Sequence, residues 1–265
     1  MKVIGCLGRK GGSGKTMVAH LLAHGLSKGY GIFTNLVMTD VREGMPINFT
    51  EGRDYFISSI TNKNPEQDTK EMEKIVEFTS KVDDSILIID GGANRANVDA
   101  AFAAICDMVL IPAGTSTEDL QVAESDYWGM IDMVQKEDTG TDVFIIRNRW
   151  PGVQKRREAL LKRDWVREFM LKAERSGMLF PDFVPDMPSL QDMANADDPK
   201  SSPLIDSVAT RFAEVVALRM GIELPERRKL VQYNVEDQKS KEESGKEIAS
   251  PTTEVLNHED NYRTA

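Results

Sequence analysis

The run Arg9-Lys-Gly-Gly-Ser-Gly-Lys-Thr16 packs three glycines and two lysines into eight positions. Gly11, Gly12 and Gly14 have no Cβ, so the backbone N–H groups around them and Ser13 can curl inward about an oxyanion. Lys15 would supply charge to the terminal phosphates of a nucleotide, and the Thr16 hydroxyl is the ligand type expected on Mg2+. A second lysine, Lys10, stands just ahead of the glycines. This is the chemistry of a phosphate-binding loop. The ordinary pattern G-x-x-x-x-G-K-[ST] is met except at its first glycine, where the chain has Arg9.

Such a loop needs a strand before it and a helix after it. Residues 2–8 form an apolar run of strand length, and residues 17–28 carry the apolar spacing of a helix. The helix would aim its positive dipole end and its first N–H groups, that of Met17 among them, at the bound anion. A second acid-bearing strand is legible at Ser85-Ile-Leu-Ile-Ile-Asp90. An apolar strand that delivers a carboxylate beside a phosphate loop is the arrangement in which an Asp holds Mg2+ through water, so Asp90 takes that role. Residues 32–39 read as a further strand ending in a polar turn that contains Asp40. Ligands of open parallel sheets bind at that carboxyl edge.

The motif Lys10-Gly-Gly-Ser-Gly-Lys-Thr16 resembles the deviant phosphate loop of the ParA/MinD family of ATPases. The resemblance extends over about residues 1–220, and it is closest to the short plasmid-partition ParA proteins. It implies an α/β fold of the doubly wound type, with a mostly parallel twisted sheet and helices on both faces. It also implies ATP and Mg2+ as cofactors, slow partner-stimulated hydrolysis, and a homodimer formed on ATP binding. In that dimer Lys10 would reach the phosphates held by the other subunit. Asp40 would help place the Mg2+ shell, through water, and the attacking water. Asn148, in Arg147-Asn-Arg149 after a strand at 142–146, would contact the adenine base. Pro112-Ala-Gly-Thr-Ser116 looks like the family's P-x-x-x-S segment. The chain departs from the family pattern at Met38, at Val41-Arg42 and at Gly91-Gly92, which bears on switch geometry more than on nucleotide binding.

Elsewhere Asn64-Pro65-Glu66-Gln67 reads as a helix start running to about Lys81. A helix is expected over 95–105 and a strand over 107–111, and Thr115-Ser-Thr-Glu118 as a capping box opening a helix to about Gln135. Ser202-Pro203 caps a last helix with Leu204, Ile205, Val208, Phe212, Val215 and Val216 on one face. The 265 residues suit one ATPase domain over 1–222 and an acidic tail over 223–265, whose composition predicts disorder.

Lys+Arg 33 against Asp+Glu 43 gives a net charge of −10, so any nucleic-acid contact must come from a local patch. Residues 147–175 are that patch, with ten basic residues against four acids and with Trp150 and Trp165 interleaved. Arg149, Lys155, Arg156, Arg157, Lys162 and Arg163 are its DNA-binding candidates, and non-specific DNA is the partner that the resemblance implies. A cargo-bound, ParB-like adaptor is the second partner the resemblance implies. The setting is expected to be cytosolic, nucleoid- or plasmid-associated, with no membrane contact. No signal peptide opens the chain, no apolar run has membrane-spanning length, and no helix-turn-helix segment precedes the loop.

Other function classes weigh less, among them metabolic or carrier enzymes on the same fold, for which the sequence offers no positive sign. A MinD-like positioning ATPase would need a basic amphipathic C-terminal helix, whereas the tail is acidic. A conjugation-linked plasmid stability ATPase would share the switch chemistry and differ only in cargo. Cys6 and Cys106 lie in separate strand regions with no metal spacing, and read as buried thiols. His20 and His24 stand four apart on a helix without a third ligand, so they read as packing residues.

Overall fold

The computed structural model describes residues 1–39, 52–60, 64–92, 101–194 and 200–227. Asp40, the segments around it and around 93–100, and the acidic tail from 228 onward lie outside the described residues.

Seven strands form one sheet: β1 (Lys2–Cys6), β2 (Thr34–Met38), β3 (Phe56–Ser59), β4 (Ile86–Asp90), β5 (Met108–Ala113), β6 (Asp142–Trp150) and β7 (Leu179–Pro185). Their order across the sheet is β3-β2-β4-β1-β5-β6-β7, and every pairing is parallel. A wholly parallel sheet needs both faces covered. The period-two alternation within each strand shows how this is met. Ile4, Leu36, Ile86 and Ile88 face a cluster built on helices Lys15–His24 and Pro203–Met220. Val3, Val37, Leu87 and Ile89 face the other, built on helices Thr117–Glu137 and Asp164–Arg175.

The first helix continues into a π-helical turn over Gly25–Gly29. Its close neighbour is the last helix. Three alanines, Ala209, Ala213 and Ala217, are wholly buried on that helix, and the residues facing them must be small. The expected apolar face is therefore partly corrected. Ile205, Phe212 and Val216 are buried and Val208 and Val215 partly so, but Leu204, in the first turn, is 62% exposed, and the closest approach of the two helices is made by the alanines.

Several sequence expectations are met at the level of individual caps. The Asn64 side chain accepts the Gln67 N–H at 2.9 Å with Pro65 in the first turn, and the helix runs Pro65–Ser80. Ser202 accepts the Ile205 N–H, and Gly221 ends the last helix with φ 64°. The capping box is real but one residue later than expected: Ser116 is the cap and Asp119 its partner. Glu118 is free of that duty and turns to Lys10 instead.

Strands β3 and β7 carry no clear pattern in the sequence. Both are edge strands, and β7 contains Pro181, which an edge tolerates because its missing N–H would have no ladder partner. At the far end, Ile222 and Leu224 pack against the core on either side of the expected boundary at 223.

Candidate functional site

The loop between β1 and the first helix lies at the carboxyl edge of the sheet, next to the end of β4. Gly8, Gly12 and Gly14 hold φ values of 137°, 75° and 94°, the conformations that bring consecutive N–H groups to one side. The helix then starts at Lys15 with Gly14 as its cap, no side chain capping it and no acid in its first turn. The N–H groups of Lys15, Thr16 and Met17 are thus left for an anion rather than for the protein. Gly11, Gly12 and Thr16 are exposed, Ser13 is buried, and the Met17 side chain packs in the core.

Lys15 is 6% exposed, and its Nζ donates to the Lys10 carbonyl at 3.0 Å. The ammonium therefore folds back over the loop, where a phosphate oxygen would compete for it. Lys10 itself leans outward to the start of helix Thr117–Glu137, with Nζ 2.7 Å from Asp119 Oδ1 and 3.1 Å from Glu118 Oε1. The Asp119 hydrogen bond raises the Lys10 pKa. Burial would raise the Asp119 pKa, but hydrogen bonds from Lys10 and Ser116 outweigh it and hold the carboxyl low.

A second contact ties the loop to the same helix. The carboxylate of Asp126, 6% exposed, accepts the Arg9 backbone N–H at 2.8 Å and pairs with the Arg9 guanidinium, which also donates to Ser125 Oγ at 2.8 Å. Arg9, a departure from the loop pattern in sequence, is in the fold an anchor. Sequence reasoning missed Asp126. The available signal was an acid lying within the buried stripe Leu120, Ala123, Tyr127, Met130.

Asp90 ends β4 in register with Cys6, 5% exposed. Burial first, and then the Asp90 carboxylate, keep the Cys6 thiol protonated. The Asp90 carbonyl accepts the Thr39 N–H at 3.2 Å and its hydroxyl at 2.8 Å, and Gly92 N–H donates to the Thr39 hydroxyl at 3.1 Å. The residue preceding Asp40 is thus fixed against Asp90, although Asp40 lies outside the described residues. For a Mg2+ ion the fit is of the sparse kind, one hydroxyl and carboxylates acting through water, as Mg2+ prefers. Among the described residues no group of three His, Cys, Asp or Glu could hold a metal by itself.

Asn148 is where sequence and structure differ most. The expected strand ends at 146, with Asn148 just beyond it and facing an adenine base. Instead β6 runs on to Trp150, and Asn148 is wholly buried within it. Its Nδ2 donates to the Ser13 carbonyl at 2.6 Å, pinning the phosphate loop from below. Its Oδ1 is buried and has no hydrogen-bond partner among the described residues. A Cβ on Gly14 would overlap the Asn148 amide, so the glycine and the asparagine require each other.

The basic segment divides between β6, helix Gln154–Leu161 and helix Asp164–Arg175. Trp150 is 2% exposed and Trp165 packs on the core, so the tryptophans are structural. Arg157 stacks on Phe183 at 5.3 Å, shared with Arg147 and Arg211, and donates to the Gly152 carbonyl at 2.7 Å. Arg149, Lys155, Arg156, Lys162 and Arg163 are exposed. His20 and His24 do not share a ligand, since His20 meets the Tyr55 hydroxyl and His24 the Asp206 carboxylate.

These features sit in a backbone with solved counterparts. A point variant of Cyanothece McdA in complex with ATP aligns with a TM-score of 0.53 at 18% identity, covering 88% of this chain and 99% of that one. The MinC:MinD cell division protein complex of Aquifex aeolicus supplies a chain that aligns at 0.56 and 16%, covering 86% and 99%. A Borrelia burgdorferi protein described as a putative plasmid partition protein, bound to AMPPNP, aligns at 0.56 and 15%, covering 83% and 98%. The fold is that of the ParA/MinD ATPases. No family model matches the sequence. No curated protein matches it.

The Lys10 contacts carry a prediction. Asp119→Asn preserves the cap but removes the nearer of the two charges opposite Lys10, leaving Glu118. It is expected to tighten binding of a fluorescent ATP analogue by up to about fivefold, because a single near-surface ion pair of this kind is weak. Unchanged affinity would mean that releasing Lys10 is no part of nucleotide binding.

Proposed function

We propose that this chain is an ATP-hydrolysing switch that dimerises on ATP and positions DNA or a DNA-bound cargo. The observation that carries the reading is the uncapped helix start at Lys15, with its glycine loop, two lysines and the Asp90 carboxylate on the neighbouring strand, within a ParA/MinD fold. In this reading the first-turn N–H groups and Lys15 bind and orient the β- and γ-phosphates, and Lys10 leaves Asp119 to reach the partner subunit's nucleotide. Mg2+ held by Thr16, and through water by Asp90 and Asp40, would supply neutralisation of the charge on the transferred phosphoryl oxygens. Asn148 keeps the loop in shape, and for the expected adenine contact its Oδ1, here wholly buried, would have to be uncovered by nucleotide binding. The ATP dimer would hold non-specific DNA through Arg149 and the exposed face of 155–163, and a cargo-bound adaptor would stimulate hydrolysis and release it.

The chain would work in the cytoplasm. Among the described residues no helix is long and apolar enough to cross a membrane. The domain would span 1–222, with the acidic remainder as a tail.

The test is binding to a random-sequence duplex with ATP, with ADP and without nucleotide, for wild type and Lys10→Ala. Binding is expected with ATP alone and is expected to fall at least about tenfold in Lys10→Ala, one charge-assisted contact being lost. Failure to bind DNA in every nucleotide state would rule out the DNA-tethered reading.

A further inference from the structure

Three arginines converge beside the carboxyl end of β6, outside the phosphate loop. Arg149, Arg156 and Arg163 line one cavity of about 330 Å3 together with Thr115, Leu160 and Asp186. Among the described residues none of the three guanidiniums has a hydrogen bond, ion pair or ring contact. Their neighbours do: Arg147 and Arg157 stack on Phe183, Arg167 pairs with Asp164, and Arg211 pairs with Asp182. Three like charges here face a single carboxylate among the described lining residues, Asp186, so the cavity carries a positive excess. The three arginines lining it come from different elements, β6, helix Gln154–Leu161 and the residue before helix Asp164–Arg175, so an anion here would have forked donors on more than one side of it. A planar carboxylate can use two such forks, whereas a tetrahedral phosphate group can present oxygens to all three.

The backbone shows how Arg149 comes to the cavity. Arg149 holds φ 53°, a left-handed conformation unfavourable for an arginine, where the β6–β7 ladder shifts register between Arg147 and Trp150. Strain of this kind persists only where the surroundings impose it. Here the flanking residues impose it, since Asn148 is wholly buried against Ser13 and Trp150 is 2% exposed. The bulge presents the Arg149 side chain at the surface, and one peptide unit away the same strand holds the phosphate loop.

We propose that the Arg149–Arg156–Arg163 cavity binds a phosphate group, and that the β6 bulge links its occupancy to the nucleotide loop through Asn148. The phosphate can belong to a DNA backbone or to a free phosphate. Only the DNA source rests on the function proposed above.

The experiment compares wild type, Arg149→Ala, Arg163→Ala and, as basic controls outside the cavity, Lys155→Ala and Lys162→Ala. Duplex affinity is measured across a salt series, inorganic phosphate binding by calorimetry, and ATP-analogue affinity with and without each anion. With DNA as source, each arginine variant is expected to lose about tenfold in DNA affinity and to reduce the salt slope by about one, beyond the loss in either control. With a free phosphate as source, calorimetric binding disappears in the arginine variants while DNA binding stays at its wild-type level or is absent throughout. That second pattern supports the cavity and, where wild type binds no DNA in any state, removes the DNA-tethered function separately. Equal losses in arginine and lysine variants, or no effect in the arginine variants on either ligand, overturn the cavity. Occupancy is expected to change wild-type ATP-analogue affinity by about threefold or more, by the reciprocity of linked sites, and to do so less in Arg149→Gly, which relieves the strain. An ATP affinity indifferent to both anions overturns the link.

Discussion

Gly14→Ala is expected to lower ATP-analogue affinity by roughly 100-fold while leaving the chain folded. Gly14 caps the first helix at φ 94° and ψ 25°, where an added Cβ costs about 1–2 kcal/mol. The same Cβ would overlap Asn148 Nδ2 and come within 3.3 Å of its Cγ. Asn148 is buried inside β6 between strand neighbours, so it has little room to retreat, and its hydrogen bond to the Ser13 carbonyl would be lost. Losing that bond in a buried setting costs about another 1–3 kcal/mol. Every 1.4 kcal/mol that falls on the binding-competent loop is about tenfold in affinity. The measurement is a fluorescence titration, with circular dichroism to confirm the fold. Affinity within about threefold of wild type would show that Asn148 does not hold the loop in its binding shape.

Gly25→Ala is expected to destabilise the fold by about 2–3 kcal/mol, the upper part of the range for overpacked cores. Local propensity gives the opposite sign, since alanine is favoured over glycine in a helix by about 1 kcal/mol. The residue has ordinary helical angles, φ −63° and ψ −42°, so nothing in its own conformation calls for glycine. The requirement comes from the last helix. A Cβ there would lie 2.6 Å from the Ala209 carbonyl carbon and 2.9 Å from the Ala213 Cβ, and backbone cannot rotate away as a side chain can. A melting temperature lower by roughly 5–10 °C is expected for a domain of this size. A raised melting temperature would mean that the two helices do not meet at this glycine.

The phosphate loop was legible because its chemistry is local. Gly11 to Thr16 are contiguous, and their glycines, lysine and hydroxyl need no distant residue to be recognised. Strands β1 and β4 and the caps at Asn64 and Ser202 were legible for the same reason: an apolar run or a cap is set by residues within a few positions of one another. The one-residue shift of the capping box at Ser116 marks the limit of that reading. Thr115-Glu118 and Ser116-Asp119 both fit the box and both acids reach Lys10, so nothing within the window separates the two, and the fold uses Ser116 with Asp119.

What lay beyond the sequence depends on residues far apart along the chain. Arg9 meets Asp126, Gly14 meets Asn148 and Gly25 meets Ala209, each through contacts that no short window contains. Edge strands β3 and β7 take their places by pairing with β2 and β6 rather than from a pattern of their own. The sequence by itself determined that this chain carries a phosphate loop on an α/β scaffold, because those signals are short-range and periodic. Only the tertiary structure decided which arginines are anchors, which stack on Phe183 and which three are left facing one cavity, because a guanidinium's role is set by the charges and rings that folding brings within reach of it.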